Sequence, residues 1–339
     1  MIRDGWFRGR KTTGFTLQWH LTNACPYQCR HCYDRLDRRE LDLAQALAVV
    51  EDFRRFCRRH RVTPHVCLTG GDPLQYSHFW ALYAAITKAE MRISILGNPI
   101  SAARIERLMA IRPPDYYQVS LEGFEEHNDS IRGKGHFRRV MRFLEDARLL
   151  RLQTHVMLTL TQANVSHVVA LGDFLRGRTP CFTFNRLSRV GNGAALALPT
   201  KEHYMRFLRS YLQSARHNPI LRLKDNLFCL AVSDDSRHGK RSGMRGCTGH
   251  GCGAAFNFVA LLPDGEIHAC RKFPSLIGNL HTSNMEAIYR SEAARRYRVG
   301  PGGCAKCKHR QHCNGCMAVV YGCGLDPLRA RDPFCFAEM

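Results

Sequence analysis

The chain has 339 residues, 45% of them apolar, with sixteen cysteines and a formal net charge of +21. That apolar share suffices for a sizeable buried core, which excludes a disordered chain, and the length fits one large domain with a smaller appendage. The cysteines are clustered and unevenly spaced, unlike the framework of a small secreted disulfide protein, so metal binding ranks ahead of cross-linking.

The basic start from Met1 to Lys11 is not followed by the apolar core of a secretory signal, and no stretch reaches the roughly eighteen consecutive apolar residues that span a bilayer. The expectation is a cytoplasmic protein with reduced thiols and no membrane partner. Apolar or β-branched runs at residues 15–22, 66–68, 93–96, 117–121, 155–161 and 182–184 read as strands. Segments of helical periodicity separate and follow them, at 42–60, 78–89, 102–111, 136–150, 165–175 and 201–217. Six alternations of strand and helix predict an α/β fold of parallel βα units, closed as a partial (β/α)6 TIM-like barrel. In such a barrel the chemistry gathers at the carboxyl ends of the strands.

Residues 233–246, rich in Ser, Gly, Arg and Lys, read as a linker, and nine of the sixteen cysteines fall between Cys247 and Cys335. The predicted division is a barrel domain at 1–232 and a linker with a cysteine-rich domain at 233–339. Arginines such as Arg54, Arg55, Arg58 and Arg59 read as a solvated helix face. The basic excess suits an acidic peptide or a nucleic acid; no RNA-binding module is evident, which ranks nucleic acid low.

Directly after the first predicted strand comes Cys25-Pro-Tyr-Gln-Cys29-Arg-His-Cys32-Tyr33. Three thiolates can hold three irons of a four-iron cube and leave the fourth iron open, as a catalytic metal requires. A structural zinc site borrowing a fourth ligand, with His31 as candidate, is the bland alternative. The array, with Tyr33 behind its last cysteine, resembles the signature of radical S-adenosylmethionine enzymes. The resemblance implies that the open iron chelates the methionine amino and carboxylate groups and that electron transfer then yields a 5′-deoxyadenosyl radical.

The resemblance continues at later strand ends. Thr69-Gly70-Gly71-Asp72-Pro73 is similar to the family's GGE-type loop, with Asp72 in place of the usual Glu, and would meet the methionine ammonium. Ser120-Leu121-Glu122-Gly123, followed by His127 and Arg132, resembles the SxDG…H…R stretch of the peptide-modifying branch. It implies Ser120 at the ribose, Glu122 nearby, and Arg132 at the methionine carboxylate, where a planar guanidinium suits bidentate pairing. Gly97-Asn98-Pro99 and Asn185-Arg186 end the third and sixth strands at the same mouth, with Asn98 a further cofactor contact. Alone, each of these would be a turn or a surface residue; their shared phase with the strands makes the set specific.

Beyond the linker, Cys252 is followed after twelve residues by Gly265 and after four more by Cys270; then come Cys304-x2-Cys307-x5-Cys313-x2-Cys316 and Cys335. The residues alone suit a zinc ribbon about as well as an iron cluster. The pattern resembles the SPASM extension of radical enzymes, which implies two auxiliary four-iron clusters and three in all. Carried over, Cys247, Cys252, Cys270 and Cys316 hold the first, and Cys304, Cys307, Cys313 and Cys335 the second. The family usually has three residues where this chain has two before Cys316, so Cys323 is an alternative to Cys316 or Cys335. Cys57, Cys67, Cys181 and Cys229 read as buried packing.

Most relatives of this architecture act on ribosomally made peptides, so the resemblance implies a precursor peptide as substrate and an external donor of flavodoxin or ferredoxin type. Stretches including Ile95-Leu-Gly-Asn-Pro-Ile-Ser101, Lys224-Asp-Asn-Leu-Phe228, Gly246-Cys-Thr-Gly249 and Arg331-Asp-Pro-Phe-Cys335 resemble thio(seleno)oxazole-modification maturases, whose precursors contain cysteine or selenocysteine. A formylglycine-forming anaerobic sulfatase maturase ranks second, because those enzymes place an Asp where this chain has Arg271. An iron–sulfur electron-transfer or binding protein without radical chemistry ranks third. Tyr117, Gln118, Glu122, Asn185 and Arg271 are the candidate catalytic residues at the mouth.

Overall fold

The computed structural model describes residues 2–3, 11–233 and 251–337. Cys247 and all but the first residue of the predicted linker lie outside these. A short antiparallel pair, β1 (Ile2–Arg3) and β2 (Lys11–Thr12), precedes β3 (Gly14–His20). Then follow α1 (Leu43–His60), β4 (Thr63–Thr69), α2 (Phe79–Lys88), β5 (Arg92–Leu96), α3 (Ala102–Ile111) and β6 (Tyr116–Ser120). After α4 (Glu125–Arg132) and α5 (His136–Leu149) come β7 (Thr154–Leu160), α6 (Val168–Phe174), β8 (Phe182–Arg186), α7 (Lys201–Ala215) and α8 (Phe228–Ser233). The cysteine-rich part adds β9 (Phe258–Leu261), β10 (Glu266–His268), β11 (Leu276–Asn279), α9 (Met285–Arg290), α10 (Glu292–Val299) and α11 (Met317–Gly322). The six predicted strands are β3 to β8, and all six predicted helices form, so the expected α/β fold of a partial (β/α)6 barrel core stands.

The described chain divides into two compact units. The first takes Met1–Pro26, Asp34–Gln118 and Gly253–Val299. In it β3 pairs in parallel with β4 from Gly14↔Thr63 to His20↔Thr69, so both strands end level and their following loops leave side by side. Strand β4 pairs in parallel with β5, and β5 with the start of β6. On its other edge β3 takes β9 in parallel, which continues as the antiparallel meander β9–β10–β11. The meander thus prolongs the sheet at its β3 edge, a junction that strand periodicity does not announce. Phe15, Leu17 and Trp19 of β3 are buried, with Phe15 packed edge-on against Phe56 and Tyr289. Asp42 and Gln45 cap α1 reciprocally, each side chain accepting the other's backbone N–H, which fixes where that helix begins.

The second unit takes Tyr27–Tyr33, Val119–Cys252 and Gly300–Met339. Strands β7 and β8 pair in parallel from Val156↔Phe182 to Leu160↔Arg186. Phe184, Phe207, Tyr211 and Phe228 form its aromatic core. Helix α4 was not anticipated, since only Asn128 and Ile131 of its eight residues are buried. Its anchor is polar: Asn128 accepts the Glu122 N–H through Oδ1 and meets His136 Nδ1 through its amide nitrogen. Among the described residues no helix is long and apolar enough to cross a membrane.

Candidate active site

In the first unit the loop after β3 is held by the loop after β4. The Thr22 carbonyl accepts the Gly71 N–H at 2.7 Å and the Ala24 carbonyl accepts the Asp72 N–H at 2.8 Å. A Cβ on Gly70, where φ is +141°, would lie 2.3 Å from the Thr22 oxygen, and one on Gly71 would lie 2.4 Å from the Ala24 oxygen. The paired glycines therefore permit a backbone approach that no side chain would allow, immediately before Cys25. Asp72 is buried and its Oδ1 accepts the Leu74 N–H, capping the turn that begins at Pro73. Asn98 donates from Nδ2 to Cys25 Sγ at 3.7 Å.

Tyr117 is fully buried and donates its hydroxyl to the Asn98 carbonyl at 2.7 Å; burial pushes its pKa well up. It therefore positions Asn98 as a neutral phenol. The Gln118 carbonyl accepts the Gly97 N–H, and Arg271 Nη1 donates to the Thr69 hydroxyl at 3.1 Å, at the carboxyl end of β4. His20 lies in the same unit, and burial, then the charges of Arg271, His268 and Arg38, push its pKa well below the usual histidine range.

In the second unit, Glu122 organises the surroundings of Cys29. Its Oε1 receives Arg132 Nε at 2.8 Å and Nη2 at 2.6 Å and lies 2.8 Å from His31 Nε2. Its Oε2 accepts the Thr159 N–H at 2.7 Å. Burial alone would raise this carboxyl; His31 and Arg132, with the Thr159 amide, outweigh it and hold the pKa down to about 2. Arg132 Nη1 also donates to Cys29 Sγ at 3.7 Å. The Cys32 carbonyl accepts the N–H of Asn192, in the Gly-Asn-Gly turn after β8. Strand-end reading passed over Asn192, and the glycines flanking it were the available signal. Tyr33, Ser120 and Asn185 are half-buried.

Among the auxiliary candidates, Cys304 is buried, and burial, then the neighbouring Cys313, Cys335 and Cys307, push its thiol up to about 11. The four predicted partners of one cluster are thus electrostatic neighbours. Cys313 Sγ accepts the Gly315 N–H at 3.3 Å, and Cys335 Sγ accepts from Arg331 Nη2 at 3.2 Å. The Cys252 N–H donates to the Cys313 carbonyl, the Cys316 N–H to Asp332 Oδ2, and the Cys270 N–H to the Ser275 hydroxyl. Cys323 lines a separate cavity of about 420 Å³ with Arg189, Lys201 and Phe334. Cys57, Cys67 and Cys181 are buried as expected; Cys229 is only half-buried, and its thiol lies against that of Cys313.

Arg186 does not stand alone at the end of β8. Its Nε donates to Asp225 Oδ2 at 2.8 Å and its Nη1 and Nη2 to both oxygens of Asp332 at 2.8 and 2.7 Å. Burial would raise the Asp332 carboxyl, and the charge and hydrogen bonds of Arg186, with the Phe334 and Cys316 amides, hold it below the usual range.

Donors directed at the sulfurs of Cys25, Cys29, Cys313 and Cys335 suit thiolates bound to iron, whose potential responds to such hydrogen bonds. Among the described residues no three His, Cys, Asp or Glu side chains are placed to hold a single metal ion.

Comparison with known proteins agrees with this chemistry. The Radical SAM superfamily model matches residues 19–175, and SPASM, an iron–sulfur cluster-binding domain, matches residues 252–317. The Mycofactocin maturase MftC of Mycolicibacterium smegmatis is 30% identical over 339 aligned residues, covering 94% of this chain and 82% of that protein. The AdoMet-dependent heme synthase of Nitratidesulfovibrio vulgaris is 24% identical, covering 94% of this chain and 91% of that protein. Streptococcus suis SuiB bound to precursor peptide SuiA superposes with a TM-score of 0.72 at 16% identity, over 96% of this chain and 76% of SuiB, a likeness of fold.

Proposed function

Because the chain belongs to the radical SAM superfamily and carries a SPASM iron–sulfur domain, we propose that it modifies a ribosomally made precursor peptide at a cysteine or selenocysteine. It is a radical SAM enzyme with iron–sulfur and S-adenosylmethionine cofactors. When bound, they supply one-electron cleavage of a sulfonium and abstraction of a substrate hydrogen.

The observation that carries the proposal is the loop Cys25 to Tyr33, with Asn98 directed at one sulfur and Arg132 at another. In this reading Cys25, Cys29 and Cys32 hold the catalytic cluster, while Tyr33, Gly70, Gly71, Asp72, Pro73, Asn98, Ser120, Glu122 and Arg132 shape the adenosylmethionine site. Cys247, Cys252, Cys270 and Cys316 hold one auxiliary cluster, and Cys304, Cys307, Cys313 and Cys335 the other, giving three. Residues 1–232 are the catalytic segment and 233–339 the auxiliary one. The enzyme works in the cytoplasm with a flavodoxin or ferredoxin as donor. Tyr117 and Glu122 position their neighbours; Gln118, Asn185 and Arg271 are the candidates for substrate contact.

The test is anaerobic reconstitution, reduction, and mass spectrometry of a cysteine-containing precursor encoded beside the gene. A mass change at its cysteine, coupled to 5′-deoxyadenosine release, supports the proposal. Turnover of a porphyrin with the peptide untouched would replace it with the chemistry named for the heme synthase relative.

A further inference from the structure

Asp332 makes contacts that neither the superfamily match nor the proposed ligand sets assign. Its Oδ2 accepts the Cys316 N–H at 2.8 Å, its Oδ1 accepts the Phe334 N–H at 3.0 Å, and its carbonyl accepts the Cys335 N–H at 2.9 Å. One residue thus holds the backbone of two cysteines that the ligand assignment sends to different auxiliary clusters. The carboxylate is itself held by Arg186, whose guanidinium spans both its oxygens. Arg186 and Asp332 side chains are each 1% exposed and Asp225 is 7% exposed. The guanidinium carbon also lies 5.3 Å from the Tyr204 ring centre and 5.5 Å from that of Phe334.

Such burial makes the group rigid, and its two carboxylates against one guanidinium leave a net charge of minus one beside Cys316, whereas at Cys335 the Arg331 guanidinium, donating to Sγ at 3.2 Å, offsets it. Buried negative charge opposes the uptake of an electron by a nearby cluster, and amide N–H groups fixed by an outer contact fix the thiolates they precede.

We infer that Asp332, braced by Arg186, positions Cys316 and Cys335 together and sets the reduction potential of the auxiliary clusters through its charge. This rests on the proposed reading of Cys316 and Cys335 as cluster ligands. It makes Asp332 a positioning residue and Arg186 the link from the last barrel strand to the cysteine loops.

The test compares reconstituted wild type, D332N, D332E and D225N by iron content and by potentiometric titration followed by electron paramagnetic resonance. D332N should keep its fold and raise the auxiliary potentials, D332E should return them toward wild type, and D225N, which loses a carboxylate bonded to no cysteine, should shift them less. Loss of auxiliary iron in D332N with retention in D332E supports the same assignment. Unchanged potentials in iron-replete D332N, or equal shifts in D332N and D225N, would overturn it. So would loss of fold, read by circular dichroism, in both D332N and D225N, because packing of Arg186 would then be all that Asp332 supplies. Wild-type protein holding only about four irons would instead sink the ligand reading on which the inference stands.

Discussion

Arg132 and Cys29 are joined by a guanidinium N–H directed at sulfur, Nη1 to Sγ at 3.7 Å. The rest of that guanidinium is engaged with Glu122, whose second oxygen is fixed by the Thr159 amide in β7. The plane of the guanidinium is therefore set by a strand and not by its own flexible stem. Its placement beside Cys29, which we propose as a cluster ligand, is the geometry by which an arginine would serve both that sulfur and the proposed methionine carboxylate.

Arg132→Ala should lower stability by about 3 kcal/mol, because it strands a buried carboxylate with one partner fewer. Urea denaturation of the apoprotein measures this, and Glu122→Gln combined with Arg132→Gln should recover part of the loss. Adenosylmethionine affinity should fall in Arg132→Ala while iron content holds. An apoprotein as stable as wild type would show that the pair is not the fixed element described here.

Gly71→Ala tests the close approach of the two loops. The added methyl would meet the Ala24 and Asn23 carbonyl oxygens at 2.4 and 2.6 Å, and backbone on both sides must move. Overpacking of this kind costs about 1–3 kcal/mol, and the movement falls on the residues that lead into Cys25. Binding of adenosylmethionine should weaken more than tenfold. Gly133→Ala is the control for strain without crowding, since φ there is +105° and no atom lies within 4 Å of the added carbon; it should leave binding intact.

The barrel strands were legible because β-branched and apolar runs recur at regular spacing, and the end of β4 then marked the glycine loop; Arg132, at the end of α4, was singled out by the resemblance alone, and its contact with Cys29 comes from the fold. Helix α4 was not legible, because a helix held by Asn128 has no apolar stripe to read. The meander β9–β11 was missed for a related reason: its strands have three or four residues, too short for a period to show. Asp332 escaped because its partner Arg186 lies 146 positions away, and no local spacing links them.

Separate roles for the cysteine groups predict separable losses. Cys29→Ala should abolish adenosylmethionine cleavage and remove about four of roughly twelve irons. Cys307→Ala should remove iron while sparing much of the cleavage and blocking product. Iron analysis and the yield of 5′-deoxyadenosine measure both, and equal loss of cleavage in the two variants would contradict the division.

His136 gives the stability a pH dependence of known sign. It is 1% exposed and its Nδ1 lies 3.2 Å from the Asn128 amide nitrogen, a contact in which the neutral ring accepts. Burial first, then Arg132, lowers its pKa from the ordinary 6.5 to about 3, against the opposing charges of Glu122 and Asp129. Below pH 6.5 the unfolded chain binds a proton that the folded one refuses, so stability present above that pH is lost progressively toward pH 3. At pH 5 the loss from this one residue is about 2 kcal/mol. His65 and His155, both lowered to about 4, act in the same direction, so the total slope alone does not isolate His136. Comparison with His136→Gln does: between pH 7 and pH 5 the wild-type apoprotein should lose about 2 kcal/mol more than the variant in urea titrations. Parallel losses would mean that His136 takes up its proton without leaving its site.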